Sequence, residues 1–420
     1  MQHPQQIMNR ILTSATALLS LLLTLSCQSQ RPLLTLRVHN PLDEDRYNDM
    51  AEIDVRKVDK LRHSPFRLLN DAGDEVPTQM TSDGMLIFPV SVVAHGVKTF
   101  KAVAGQAAQI DTLVRGRQFK ERDDDFAWEN DRMAYRAYGP ALQARGERGF
   151  GYDIFTKSVE HPVLETFYAK ACNPESLSKV QALRRKGLRR QADSLEHAIS
   201  YHVDHGEGMD VFSVGPTLGA ATSALLDEKG KIVYPWCYVH YEVMDRGPLR
   251  FTFRLTFGGQ RVDHDEKVVE TRTISLDRGS FLNRTSVHYD GLNSEHPLVA
   301  GIPLREQHPD GFAMDSTDGF VAYADSTDNA RAGNGVIFVG ALSRNFQTTK
   351  VERFTAAERC EHGHALGHVM GIGTYYPGED FTYYWGSGWS KGFMPNMETW
   401  TAYLRHFSRC IRHPLEVTVK

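Results

Sequence analysis

The sequence is short of the features that usually announce a function. Its five cysteines, at 27, 172, 237, 360 and 410, form no CxxC pair, so a zinc knuckle has no support. Charge of one sign is not in excess: 48 Lys and Arg face 52 Asp and Glu, a formal balance of −4. No basic block is interleaved with aromatics. The run Arg184-Arg185-Lys186 with Arg189-Arg190 reads as the wet face of a helix, and nucleic acid is set aside as a partner. No GxSxG elbow, P-loop or GxGxxG stands in a strand–turn–helix context, which removes acyl-hydrolase, nucleotide and dinucleotide readings. Long apolar runs are absent except for Ile11–Leu25, with Arg10 before it and Ser26 and Cys27 after. A charged start, a short apolar stretch and a small residue make a secretory signal over residues 1–27. The run is shorter than the roughly 20 residues of a membrane-spanning helix.

Cys27, directly after that run, resembles the lipobox cysteine of bacterial lipoproteins, with Thr24 where a Leu is usual. The resemblance implies acylation of Cys27 and an exported protein of a Gram-negative bacterium, periplasmic or anchored at the outer membrane. Contact with the membrane is then through the lipid anchor only. Cys172, Cys237, Cys360 and Cys410 are left after maturation. In an exported protein they form disulfides or stay as buried thiols, and the sequence does not choose.

What is present is β-structure. Leu34–Val38, Ala51–Val55, Phe66–Leu69, Met85–Val90 and Val97–Val103 are short alternating runs cut by turn clusters such as Asn70–Asp74. They predict a small sandwich over 33–105. Residues 106–125 read as a polar connector ending in three aspartates. Strands resume in a second unit, 126–420: Arg132–Tyr138, Trp236–Met244, and Leu249–Phe257. The last places Leu249, Phe251, Phe253, Leu255 and Phe257 on one face. One helix is predicted over 174–199, capped by Asn173 with Pro174 in its first turn, and another over 397–410, before a closing strand at 415–419. The fold class expected is all-β, a small N-terminal sandwich and a larger one with one or two accessory helices.

The densest chemistry is Tyr201-His202-Val203-Asp204-His205-Gly206-Glu207-Gly208-Met209-Asp210. Two imidazoles, carboxylates and a phenol meet around glycines that let the backbone turn sharply. His202 is the first choice for a general base or acid, because its ordinary pKa sits near neutrality. His205 and Glu207 follow it; Asp204 and Glu207 are placed to orient an imidazole or bind a cation. His202, Asp204 and His205 are competent ligands for a divalent ion, although the spacing fits no zinc motif, and no cofactor is assigned. His362, His364 and His368 form a second histidine group, read mainly as a solvated loop. Tyr383, Tyr384, Trp385 and Trp389 beside glycines read as rings on a turned loop, suited to stacking on sugar faces.

Val38-His39-Asn40-Pro41-Leu42 with Arg46, then Asp71-x-Gly73-x-x-Val76-Pro77-x-Gln79 and Leu86-Ile87-Phe88, resembles the β-rich portion of retaining α-mannosidases. That resemblance implies a galactose-mutarotase-like supersandwich for the second unit. Trp128–Leu142, Tyr201–Asp210 and Tyr383–Trp389 are together similar to an exported family of undefined domain name, encoded in polysaccharide-utilisation loci of Bacteroidetes beside unsaturated glucuronyl hydrolases. This implies work on uronate-bearing oligosaccharides, by β-elimination as a dehydratase or lyase. Such chemistry needs a cation on the uronate carboxylate, a base for the C5 proton and an acid for the leaving oxygen. Arg136 is the expected carboxylate clamp, unless it pairs with Glu129 or Asp131. His202 is base or acid, Tyr135 or a C-terminal tyrosine its partner, and Tyr138 a substrate contact. The rivals are a glycoside hydrolase using Glu207 with Glu129 or Asp210, an epimerase-like enzyme, and a non-catalytic glycan-binding lipoprotein.

Overall fold

The computed structural model describes residues 31–326 and 332–420. The signal segment and Cys27 lie outside the described residues. Strands dominate throughout, as their alternating patterns require.

The small sandwich pairs a five-stranded sheet, ordered 416–419, 34–39, 97–104, 66–69, 75–76, with a three-stranded one, 46–54, 85–92, 79–80. Leu36, Val38, Ile53, Leu68, Leu86, Phe88 and Phe100 fill the space between them. One boundary differs from the division at 126–420. The closing strand Glu416–Val419 runs antiparallel to Leu34–His39, with Leu36 opposite Val419. Leu415 and Val417 pack on the small core. The first strand would otherwise present an open edge, and the end of the chain covers it.

The larger unit is built from three antiparallel sheets. Four strands, 153–155, 134–137, 125–129 and 115–119, form one. A five-stranded sheet (232–233, 222–226, 296–304, 367–375, 348–353) faces a long one, ordered 238–246, 250–257, 265–277, 282–290, 381–389, 337–342, 320–325, 312–315. Trp128, Tyr135, Phe253, Ile302, Val369, Tyr383 and Trp385 lie in the shared core. Over 249–257 the core face is as expected, with Phe251, Phe253, Leu255 and Phe257 buried; on the other face Arg254 is partly exposed, but Arg250 and Thr252 are buried, Arg250 against Glu52 and Gln79 of the small sandwich.

Helices are more numerous than anticipated: six α-helices occur among the described residues. The stretch 174–199 is two helices, Pro174–Arg185 and Arg189–Ile199, broken at Gly187, whose φ of +72° ends the first. Asn173 caps the first by accepting from the Ser176 amide at 2.8 Å. Helix Leu164–Ala171 had no clear period to reveal it. Helix Ala356–Glu361 did carry a signal, the Thr355/Glu358 capping box. Among the described residues no helix is long and apolar enough to cross a membrane. The four cysteines of the described chain are free thiols.

The aromatic run at 383–389 is not a loop. It belongs to strand Phe381–Trp389, between Leu282–Asp290 and Ile337–Leu342. Its glycines allow close approach: a Cβ on Gly386 would sit 2.0 Å from the Phe281 carbonyl oxygen, and one on Gly388 2.5 Å from the Met394 Cβ. Gly386→Ala should therefore lower stability by about 1–3 kcal/mol, read as a drop in denaturant midpoint at unchanged slope. An unchanged midpoint would show that this strand does not need the contact.

Candidate functional site

Strand pairing decides what Arg136 does. It lies in Ala134–Ala137, directly opposite Asp153 of the neighbouring strand. Its side chain is 4% exposed. The guanidinium donates from Nε to Asp153 Oδ2 at 3.1 Å and from Nη2 to Asp210 Oδ2 at 2.9 Å, with a second contact from Nη2 to Asp153. Asp125 Oδ2 stands 3.6 Å from Nη1. The Tyr138 hydroxyl donates to Asp153 at 2.9 Å, and its ring centroid is 5.1 Å from the guanidinium carbon. Burial opposes the charge on Arg136, but Asp153 and Asp210 outweigh it and hold the group protonated. Burial pushes Asp125 up to about 6 against the pull of Arg136 and Arg122.

These contacts overturn the clamp assignment. Arg136 is enclosed by carboxylates of its own chain, and they are neither Glu129 nor Asp131. Tyr135 points to the opposite side of the strand, as alternation requires. It is fully buried, donates to the Phe281 carbonyl at 3.1 Å and accepts from the Ser387 amide at 3.1 Å. Burial raises its phenol far above the ordinary range, so it is no partner in proton transfer. Tyr138 is tied to the ionic cluster, not to an open groove.

The decapeptide is held against this cluster. Tyr201 is buried on Phe155 and Tyr168, with ring centroids 5.5 and 5.8 Å away, and its hydroxyl accepts from Arg122 Nε at 3.0 Å. Asp210 bridges to Phe155, and its amide donates to the Tyr201 carbonyl at 2.8 Å. A Cβ on Gly208 would be 1.9 Å from the Thr156 carbonyl oxygen, so only glycine fits there. Asp204 Oδ1 accepts from the Gly206 and Gly208 amides at 2.8 and 3.2 Å and fixes the turn.

His202 then projects outward. Its Nδ1 is 2.8 Å from the Asp210 carbonyl oxygen and 3.8 Å from Asp210 Oδ2, and its side chain is 60% exposed. A carbonyl oxygen only accepts, so Nδ1 carries a hydrogen, and in the neutral ring Nε2 keeps its lone pair. Arg122, bonded to the Tyr201 hydroxyl, and His202, 4.6 Å from the Tyr201 ring, touch the same side chain. Arg122 also pairs with Asp123, as does the more exposed Arg145. Neither arginine stood out in the sequence.

The other members of the segment diverge. His205 Nε2 lies 3.2 Å from the Ser200 carbonyl oxygen, and Glu207 accepts from His161 Nε2 at 2.9 Å. With Asp204 spent on the turn, His202, Asp204 and His205 do not converge on one point. Among the described residues no three His, Cys, Asp or Glu side chains form a group able to hold a metal ion. The hydrolase pair also fails. Glu129 is fully buried and accepts from Lys157 Nζ at 2.9 Å and from the Val163 and Leu164 amides at 2.8 and 3.1 Å. It is the anion at the start of helix Leu164–Ala171. Asp210 belongs to Arg136.

The aromatic residues separate by parity. Tyr383, Trp385 and Trp389 face the core: Trp385 stacks on Tyr152 at 4.2 Å, and Tyr383 accepts from the Ser223 amide at 3.2 Å. They are packing residues, not a sugar platform. Tyr384 alone of the four turns outward, into a cleft of about 470 Å³ between the two sandwiches and the helix Met397–Arg412. Directly opposite it in register is Arg284.

The histidines at 362–368 do not form a cluster either. His362 Nδ1 meets the Pro216 carbonyl oxygen at 2.6 Å, His364 is exposed with φ of +63°, and His368 is buried in strand Gly367–Tyr375. His368 Nε2 accepts from the Leu218 amide at 3.3 Å. Burial, helped by His362 and Arg305, lowers its pKa to about 3.

Two outcomes follow from this packing. An unfolded histidine titrates near 6.5 while folded His368 stays neutral to about pH 3. The unfolded chain holds the extra proton in that window, so stability falls as pH drops from about 6.5 toward 3, by an amount on the order of 4–5 kcal/mol. His368→Gln should flatten that slope in urea titrations; an unaltered slope would assign the acid lability elsewhere. Arg136→Met should cost about 3–5 kcal/mol by leaving buried carboxylates unpaired. A fully stable Arg136→Met protein would restore the clamp reading.

A family model described as a domain of unknown function, DUF4861, matches residues 38–417. The chain is similar to "Uncharacterized protein P7" of Formosa agariphila, 26% identical over 417 residues, which cover 93% of this chain and 94% of that one. Of solved structures, it is similar to an α-mannosidase from Enterococcus faecalis V583, with a TM-score of 0.45, 7% identity and coverage of 92% of this chain and 46% of that one. A glycosyl hydrolase family 38 protein from Enterococcus faecalis gives 0.44, 7%, 92% and 47%. The chain spans about half the length of these two structures. Likeness at that TM-score bears on neither fold nor activity, and the β architecture rests on the strand pairings themselves.

Proposed function

We propose that this chain, which belongs to the DUF4861 family, is an enzyme that performs β-elimination at a uronate residue of oligosaccharides, with His202 as its general base. The observation that carries the reading is the setting of the His202 ring. Nδ1–H is held by the Asp210 carbonyl, Nε2 faces solvent, and the Asp210 carboxylate behind it is locked by Arg136. An imidazole fixed in one tautomer, with its basic nitrogen outward, is suited to take a proton from a bound ligand.

In this mechanism Nε2 removes the C5 proton, the C4–C5 double bond forms, and the C4–O bond breaks with protonation of the leaving oxygen from solvent. The carboxylate beside C5 needs a cation to tolerate the developing charge. Arg122, which shares the Tyr201 side chain with His202, takes the place first assigned to Arg136, with Arg145 in support. The reading also keeps the protein exported and lipid-anchored through Cys27, so that its substrates are extracellular or periplasmic glycans.

His202→Gln should reduce turnover of oligosaccharides containing glucuronate or iduronate by about 10²–10⁴-fold, with an unchanged thermal midpoint. The readout is ultraviolet absorption of the new conjugated double bond, with mass spectrometry for loss of water. A folded, fully active variant would sink the assignment. A wild-type protein that binds these glycans and converts none of them is a glycan-binding protein instead.

A further inference from the structure

The cleft between the two sandwiches shares no lining residue with the 201–210 segment. One wall is Tyr47, Asn48 and Glu52 of the small sandwich; the other includes Arg284 and Tyr384 of the long sheet and Arg278 in the turn after strand Asp265–Asp277. An adjoining hollow of about 650 Å³, which also carries Asp111, Asp131 and Glu160 beside Arg132, shares Asn48, Met50 and Arg278 with it. Both volumes fall in the range of small-ligand sites.

Charge pairing inside the cleft is incomplete. Arg46 pairs with Asp49, Arg250 with Glu52 and Asp277, and the lining His406 with Glu44 outside the cleft. Arg278 and Arg284 have no carboxylate within ion-pair distance among the described residues; Arg278 reaches only the Asp111 carbonyl, at 3.5 Å. Beside these two cations stand rings. Tyr384 lies opposite Arg284 in register and meets Phe407 edge-on at 5.1 Å, while Tyr47 on the rim is 75% exposed. Free guanidiniums recognise carboxylate or sulfate with paired donors, and tyrosine rings stack on the apolar faces of sugars.

We propose that this intermodule groove is a second binding site, separate from His202, that takes a carboxylate- or sulfate-bearing oligosaccharide, with Arg278 and Arg284 on its anionic groups and Tyr384 and Tyr47 against its rings. The ligand touches both sandwiches, so it also holds them in one arrangement. The site would retain an acidic chain while its reactive residue is presented elsewhere.

Calorimetric titration of the full chain tests this with three probes: a glucuronate-containing tetrasaccharide, a neutral tetrasaccharide and inorganic sulfate. The expected result is binding of the acidic tetrasaccharide alone, weakened about 10- to 100-fold in Arg278→Ala/Arg284→Ala and unchanged in His202→Gln. Arg284→Gln, which keeps the size of the side chain, should weaken it in the same direction if the double variant does not fold. Three results would overturn the proposal: no binding, equal binding of the neutral chain, or full affinity in both arginine variants. Sulfate binding as tightly as the acidic chain would reduce the groove to a simple anion site and would also overturn it. Loss of binding in His202→Gln alone would place the acidic chain at the decapeptide, leaving the elimination reading intact and the groove without a role.

Discussion

A single buried guanidinium joins three distant stretches of this protein. Arg136 in one strand, Asp153 in the next and Asp210 at the end of the decapeptide meet inside the structure, with Asp125 at the margin. A buried ion pair is weak evidence for net stability, because each charge has lost its water. Its value lies in specificity: once the three carboxylates are enclosed, only an arrangement that brings the cation to them is tolerable. That arrangement presses Gly208 onto Thr156, seats Tyr201 on Phe155 and turns His202 to the outside.

The cluster therefore separates two jobs that the Sequence analysis gave to one set of residues. Arg136 and Tyr138 are support, and contact with solvent belongs to His202, Arg122 and Arg145. The same separation recurs in the aromatic strand, where one tyrosine of the run leaves the core and reaches the cleft. In both places, the side chains open to a ligand are the few that the packing turns outward.

Much of the β architecture was legible, because a core-facing row writes itself directly as alternation; Leu249–Phe257 is the clearest case, although Arg250 and Thr252 on its other face are covered too. The decapeptide was also legible as a sharp turn rich in proton-transfer groups. Long-range partners were not. Nothing local to Arg136 names Asp153 or Asp210, and nearer acids at 129 and 131 were equally good candidates by spacing. Glu129 was already committed to Lys157 and a helix start that no clear pattern announced. Glycines misled in the aromatic run: those at 386 and 388 suggested a loop, whereas they exist to let the Phe281 backbone and Met394 approach a strand. The closing strand was visible, but not that it crosses back to the first sandwich, since a strand's sequence does not say which edge it will cover.

The account depends on the Arg136 cluster setting one orientation of the His202 ring, and nitrogen chemical shifts of that ring report it directly. Long-range proton–nitrogen correlation spectra at a pH where the ring is neutral should show hydrogen on Nδ1 and a bare Nε2. A ring with its hydrogen on Nε2, or one averaging freely between the two forms, would contradict the account, because the Asp210 carbonyl would then not be holding it.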